Sequence, residues 1–544
     1  MRRDIFFIAC TLLLAGQAGT MVAQDIYRVG DLSSEDLNGT ARFVGMGGAL
    51  GALGADMSVM SSNPAGIGLF RSSDVSLTGG IVRHADASSF AGRNAAVASF
   101  DQAGFVYAIP VGGKTVRYFN MGFNYHKKKN FHSLFGGGLS GLDNMGDYSG
   151  ISQSWEMANL AYWDGGPLDL TVDADGNMSP DFDLTTPVTG MGALTQTIAP
   201  YYDENGKLAG YDPSYAVSNA SRVARWGGIQ QYDFNFSTNL KERFYLGLTL
   251  SAYHVDWHNV TSYGEVLVDG DNNYGDYALN AEESLTGSGF DVKFGLIARP
   301  IEESAFRMGL SFTSPTFYTL THSAYAWMAS PYTDADGIPY SQDVEVSPHD
   351  YLVRTPWKFN FSLGHTIGNF LAIGAEYEYS NYATAKIRYS DGYGDYWYDG
   401  WSDYSTTDDY ALNDEINRYM KGVSTFRIGA EARVADGLFI RAGYNYVSAP
   451  MDDEAYNNLF TNSPSYYYSV STDYLNLGAT NRYTAGIGYR GKHFYADVAY
   501  QYQQQDGKYY SFYVSQDNSA LNALPAIPVK LNRHQGLLTI GYKF

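Results

Sequence analysis

Cysteine is almost absent. Cys10 is the only one, and it sits in an N-terminal stretch that reads as a removable leader. The mature chain then has no disulfide, no thiol nucleophile and no thiolate-bound metal. Long apolar runs are also missing. Beyond the N-terminus none reaches the ~18 residues a membrane helix needs, and the mean hydropathy of −0.26 excludes a multi-helix membrane protein. Basic residues are scarce, 36 Lys and Arg against 57 Asp and Glu for a net charge of −21, which argues against a nucleic-acid partner. The ten histidines show no H-E-x-x-H spacing, and neither G-x-S-x-G nor a P-loop occurs. GMGGALG at 45–51 is glycine-rich but follows no strand of a βαβ unit, so a phosphate cradle is not expected there. No cofactor, no metal and no enzymatic activity are expected. No Pro-rich or Ser-rich linker divides the chain.

What is there is a leader, then alternation. Residues 1–24 read as a secretory signal: Arg2 and Arg3 precede an apolar core from Ile5 to Leu14, and small residues lead to cleavage near Ala23 or Gln24. That core is too short to span a bilayer, and the apolar stretch before Cys10 is too short for a lipoprotein signal. Tyr numbers 47 and Gly 59, a composition of strands and turns. From Asp74 onward polar and apolar residues alternate. In LLTIGYKF, Leu538, Ile540, Tyr542 and Phe544 share one face. TFRIGAEARV and LFIRAGYNYV, joined by Ala435-Asp436-Gly437, repeat the pattern, as do NRYTAGIGYR and HFYADVAYQYQ.

These strands belong either to a soluble sandwich or to a membrane barrel. Aromatics at the ends of the apolar face and Arg, Glu, Asp and Gln on the other favour the barrel. Fourteen strands are expected, near 74–84, 97–110, 115–127, 229–239, 244–255, 289–300, 305–313, 355–365, 370–380, 425–434, 438–448, 482–490, 493–504 and 531–544. Short turns (111–114, 240–243, 301–304, 367–369, 435–437, 490–492) then alternate with long loops (85–96, 128–228, 256–288, 314–354, 381–424, 449–481, 505–530). That asymmetry is typical of outer-membrane barrels, and an even count puts both termini on the short-turn, periplasmic side.

Candidate sites are few. Residues 391–417 hold eight Asp or Glu, no Lys or Arg, and seven Tyr or Trp. This reads as a solvated surface loop, with a cation or glycan site as the sharper reading. DADGN at 173–177, DENG at 203–206, DGDNN at 269–273 and DADG at 334–337 look calcium-like but lack EF-hand spacing, so hairpin tips are expected. Glu376, Glu378, Arg427, Glu431, Arg433, Arg441 and Asp497 fall on the inward face, where mutual ion pairing is expected.

Before the first strand lies ARFVGMGGALGALGADMSVMSSNPAGIGLF. Its small residues and Asn-Pro-Ala resemble the N-terminal segment of the FadL family of outer-membrane transporters for long-chain fatty acids and other hydrophobic compounds. The later strands, from GSGFDVKFGLIARP to YTAGIGYRGKHFYADVAYQYQ, extend the resemblance over most of the mature chain. It implies an all-β transmembrane antiparallel barrel of about fourteen strands, with an N-terminal hatch at 25–73 inside a barrel of 74–544. It also implies an outer-membrane location and diffusion-type uptake of hydrophobic molecules, long-chain fatty acids first. Asn63, Pro64, Ala65 and Gly66 become hatch residues whose rearrangement opens an internal greasy route; a simple tight turn is the plainer reading of the same residues. Aromatic loops at 314–320 and 463–470 would capture the ligand. Outer-membrane lipid and, through a last strand ending in Phe544, the barrel-assembly machinery are the other expected partners. Barrels of this type also serve protein secretion or cell-surface attachment, which is the alternative function.

Overall fold

The computed structural model of the protein describes residues 26–85, 87–163, 170–172, 178–180, 186–268, 273–390, 406–460, 463, 468–516 and 521–544. The leader 1–24, DADGN at 173–177, most of DGDNN, residues 391–405 of the acidic loop and 464–467 of the second aromatic loop lie outside the described residues.

Fourteen strands form the wall. In chain order they are β1 (Asp74–His84), β2 (Ala96–Pro110), β3 (Val116–Asn130), β4 (Tyr215–Leu240), β5 (Phe244–Val268) and β6 (Tyr274–Ala298). Next come β7 (Arg307–Thr313 and Phe317–Thr333), β8 (Pro339–Arg354 and Lys358–Ile367) and β9 (Leu371–Asn381 and Lys386–Ser390). β10 (Gly422–Ala435), β11 (Leu438–Val447), β12 (Tyr474–Arg490), β13 (Phe494–Tyr510) and β14 (Ile527–Lys530 and Arg533–Lys543) complete the set. Each is antiparallel to the next, and β14 returns to β1 with Ile540 opposite Leu77. Closure leaves no unpaired edge, the condition lipid imposes on a sheet. At the short-turn end, Lys241 and Glu242 both take positive φ (54° and 57°), so the turn matches the hairpin twist without the usual glycine.

The outer face carries exposed apolar side chains. Leu538, Ile540 and Phe544 are 47%, 56% and 63% exposed, while the alternating Leu537 and Thr539 are buried. Phe234, Phe236, Leu248, Leu250, Phe294 and Leu310 continue the belt. Water would penalise such a surface by about 25 cal/mol per Å², whereas hydrocarbon does not; the barrel spans a membrane.

The strands run further than expected at the long-loop end. Residues 256–288 are mostly ladder: β5 and β6 pair without a break up to Val268 opposite Tyr274. Residues 314–354 likewise form a hairpin with its tip at 334–337, where Gly337 takes φ 78°. The pattern in β5 shows why the alternation does not carry on to the strand ends. From Leu246 to Ala252 the apolar residues point outward (Leu248, Leu250) and Thr249 and Ser251 inward; from Tyr253 the phase reverses, and Tyr253, Val255, Trp257 and Tyr263 point inward. The wall leaves the membrane there, and its inner face becomes the apolar one.

Of the expected loop 128–228, residues 133–140 pair with 218–225 as an extension of the wall, and 141–214 form a folded cap. The cap contains two short 3₁₀ turns, Leu142–Asn144 and Gly146–Tyr148, two helices, Gln153–Trp163 and Pro187–Leu194, and a hairpin of Ile198–Tyr202 with Leu208–Pro213. Met157, Val188 and Met191 pack against Leu267, Leu279, Met328 and Phe512 on the inner faces of the extended strands and their neighbours. At the tip of that hairpin, the Asp203 carboxylate accepts hydrogen bonds from the Asn205 and Lys207 amides, so DENG is a turn. The acidic segment ends in a helix, Tyr410–Tyr419, capped by Asp409, whose carboxylate accepts from the Leu412 amide at 3.0 Å.

Ile540→Arg places a charge on the lipid face. We expect a loss of about 2–4 kcal/mol if the site lies near the midplane, read as a lower urea midpoint for the heat-modifiable band. An unchanged midpoint would contradict lipid contact at this position.

Candidate functional site

Residues 26–73 lie inside the ring of strands. Starting from Ile26, the segment forms a helix, α1 (Ile26–Ser33), a short helix, α2 (Ala41–Gly45), and two 3₁₀ turns, Met57–Met60 and Pro64–Leu69. It touches the wall all the way round. Ser76 of β1 and Gln102 of β2 reach the Met57 sulfur, and Asn120 of β3 donates to the Ile67 carbonyl at 2.7 Å. Thr249 of β5 donates to the Met60 carbonyl, Ser311 of β7 to that of Ser62, and Thr484 of β12 to that of Gly45. Thr539 of β14 accepts from the Ala41 amide at 2.7 Å.

Glycines on the inner wall set the distance. A Cβ on Gly247 would meet the Pro64 carbonyl group, on Gly374 that of Ala49, on Gly429 that of Met46, and on Gly443 the Met46–Gly47 peptide. On the plug side, Gly47 has φ 63° and its own Cβ would strike the β11 backbone at Tyr444. The approach is therefore backbone to backbone, which only glycine allows.

Asn63, Pro64, Ala65 and Gly66 form the start of the second 3₁₀ turn. The Asn63 side chain caps it, accepting from the Ala65 amide at 3.2 Å, and Pro64 takes the first position, where no N–H is needed. Asn235 and Ser237 of β4 donate to the Pro64 carbonyl at 3.3 and 3.0 Å. Asn63 is fully buried, and its Nδ2 has no hydrogen-bond partner among the described residues. The four residues do not line the main cavity, which reaches only as far as Ser61 and Ser62.

That cavity, about 240 Å³, lies beyond the plug toward the cap. The cavity is a chamber with two kinds of lining. One part of its lining is apolar, from Phe131, Phe135, Val423, Val447, Met451 and Leu475; beside it and outside the lining, Ile26, Val29 and Leu32 of α1 pack on Trp257, Leu285, Leu320 and Val353 of the wall. The other is charged. Lys358 and Arg427 approach Glu35 at 3.0 and 3.5 Å, while Arg533 and Arg482 approach Asp36 at 3.0 and 3.7 Å. Arg28 stacks on Trp257, 3.3 Å from its ring centre, and pairs with Glu283.

The inward charges pair with one another. Arg427 reaches Glu378 at 3.1 Å and Glu376 at 3.6 Å; Arg441 bridges Glu431 and Asp497, both at 2.6 Å, and Arg42 of α2 joins Glu431. Arg433 is the exception. It is exposed at the end of β10 and pairs with Asp436 of the turn. Glu35, Asp36, Lys358, Arg482 and Arg533 were not singled out in the sequence; alternation places the last three on the inward face, but nothing in it pairs them with residues of the plug. In the cap, burial pushes the Glu156 carboxyl well above the usual range, offset in part by the hydrogen bond it accepts from the Tyr513 amide.

The wall has a seam between β2 and β3. Pairs between β2 and β3 run from Pro110–Tyr118 to Gln102–His126 and stop. Beyond that, Ala96–Phe100 pair only with β1, and Lys127, Lys129 and Asn130 only with β4. Side chains bridge the gap: Asn38 of the plug donates to Asp101 Oδ1 at 3.0 Å and to the Lys127 carbonyl at 3.1 Å, and Lys127 donates to Ser99 at 3.1 Å. His126 and Lys128 beside the seam also line the cavity.

No family model matches the chain, and no curated protein matches it. Among solved structures it is similar to the Ralstonia pickettii toluene transporter TbuX, at 13% identity over 94% of this chain and 99% of that one, with a TM-score of 0.47. It is also similar to a Pseudomonas aeruginosa FadL homologue (12% identity, 94% and 100%, TM-score 0.49) and to the Pseudomonas putida toluene transporter TodX (13%, 94% and 99%, 0.45). The barrel itself rests on this chain's own strand ladder.

Gly443→Val would drive a branched side chain into the Met46–Gly47 peptide. We expect a cost of about 1–3 kcal/mol and faster proteolysis within 26–73 while the barrel stays heat-modifiable. Unchanged protection of the segment would show that close approach at this glycine is not required.

Proposed function

We propose that the chain is an outer-membrane channel for hydrophobic molecules bearing an anionic head, with long-chain fatty acids the leading class. One observation carries this reading: an apolar bed lies beside the chamber's cluster of cations, and the N-terminal segment covers the bed and pairs with the cations. The apolar face of α1 covers Trp257 and Leu285, and the two carboxylates that follow it, Glu35 and Asp36, occupy Lys358, Arg427, Arg482 and Arg533. A greasy tail ending in a carboxylate has the same order of chemistry. Such a ligand would displace α1 and the acidic pair, and the hatch residues Asn63, Pro64, Ala65 and Gly66 would rearrange with them. Transfer of each CH₂ from water to the apolar bed contributes about 0.8 kcal/mol. The seam between β2 and β3 supports sideways release into the membrane, since only side chains close it. The long-loop end faces outward and both termini face the periplasm in this reading, with assembly through the strand that ends in Phe544.

The test is binding and uptake of a labelled long-chain fatty acid in liposomes, with toluene as a headless comparison. Asp36→Asn frees Arg482 and Arg533, and we expect fatty-acid affinity to rise severalfold with toluene unaffected. Asn63→Ala with Pro64→Ala should slow uptake while the barrel stays heat-modifiable. A wild type that binds neither compound, yet co-purifies with a secretion partner, replaces this reading with the secretion or attachment role. Orientation is checked separately: a cysteine placed at Asp336, in the β7–β8 tip, should react with an impermeant thiol reagent on intact cells.

A further inference from the structure

Two cations face each other on the outside of the barrel. Arg354 of β8 and Lys386 of β9 are directly opposite in the ladder. Their chain neighbours Val353 and Ile387 are buried inward, so both cations point outward. Like charges directly opposite across a ladder destabilise it. Neither side chain has an ion pair or hydrogen bond among the described residues. The acids nearby are engaged: Asp408 pairs with Arg388 at 2.9 Å, and Asp350 accepts from Thr321 at 2.6 Å. In a chain with 57 acidic residues against 36 basic ones, a basic pair with no acidic partner among the described residues stands out.

Its height on the wall is specific. On β8 the outward residues rise through Phe361 and Phe359 to Trp357, and the next outward side chain is Arg354. On β9 they rise through Ile373 and Tyr377 to Tyr379, before Lys386. On β7 the residue opposite Arg354 is Phe317, 45% exposed. The pair therefore sits just above the lipid-facing aromatic collar, on the long-loop side, where lipid headgroups begin. A guanidinium offers a planar fork to phosphate oxygens and an ammonium a point charge beside it.

We propose that Arg354 and Lys386 bind the phosphate of a glycolipid in the leaflet at the long-loop end, with its acyl chains lying down over Phe359 and Tyr377. The leaflet assignment rests on the orientation proposed above; the phosphate site itself does not. Beyond the cations the same outer wall continues past the membrane and presents Tyr325 and Trp327, exposed faces on which a sugar headgroup can lie.

The experiment is native mass spectrometry of the full chain, released from bilayer discs that carry a phosphorylated glycolipid, the same glycolipid without phosphate, or a phospholipid alone. The discs present each lipid at both ends of the barrel, so the outcome is independent of orientation. Wild type should retain the phosphorylated glycolipid in preference to both others. Arg354→Gln with Lys386→Gln should weaken that retention roughly thirtyfold, at the usual contribution of a basic side chain beside an anionic membrane surface. Lys492→Gln, in the turn at the other end, should leave it unchanged, and heat-modifiable migration verifies assembly of each variant. Equal retention by wild type and double variant overturns the site. Equal retention of the dephosphorylated form overturns phosphate as the ligand group, and equal retention of the phospholipid overturns the glycolipid assignment.

Discussion

A backbone in hydrocarbon must pair every N–H and C=O with itself, and the rest of this structure follows from that constraint. A sheet meets it only by closing. Fourteen strands close around a lumen too wide for wall side chains alone to fill. The chain supplies the filling from its own N-terminus, and the fit depends on inner-wall glycines such as Gly374, Gly429 and Gly443, where plug backbone meets wall backbone.

Charge inside the barrel obeys a second condition. Ions removed from water must find partners, or their burial is strongly unfavourable. Arg441 with Glu431 and Asp497 satisfies this at the short-turn half. Nearer the cavity the partners come from different parts of the chain: Glu35 and Asp36 from the plug, the cations from β8, β10, β12 and β14. Seating the plug and neutralising the wall are thus one event.

The inner surface changes character with height. At membrane level the wall is apolar outside and polar inside. Above it, from Tyr253 on β5, apolar residues turn inward and pack with the helical cap. The membrane and the cap are two different solvents for one continuous sheet, and each selects which face is apolar.

The strand count, the positions of the short turns, the lipid face of β14 and the pairing of inward charges were legible in the sequence, because period-2 alternation maps directly onto the two faces of a strand. The small-residue run before Asp74 also signalled close packing. The length of the strands beyond the membrane was not legible, since the alternation reverses phase where the outside becomes water, and a pattern that changes sign reads as a loop. The helices of the 141–214 excursion were hidden for a related reason: they are short and pack against wall residues distant in sequence. Which cation meets Glu35 or Asp36 was decided only by closure of the ring, which brings residues hundreds of positions apart to one point. The same closure placed Arg354 beside Lys386, a pairing that no local pattern specifies.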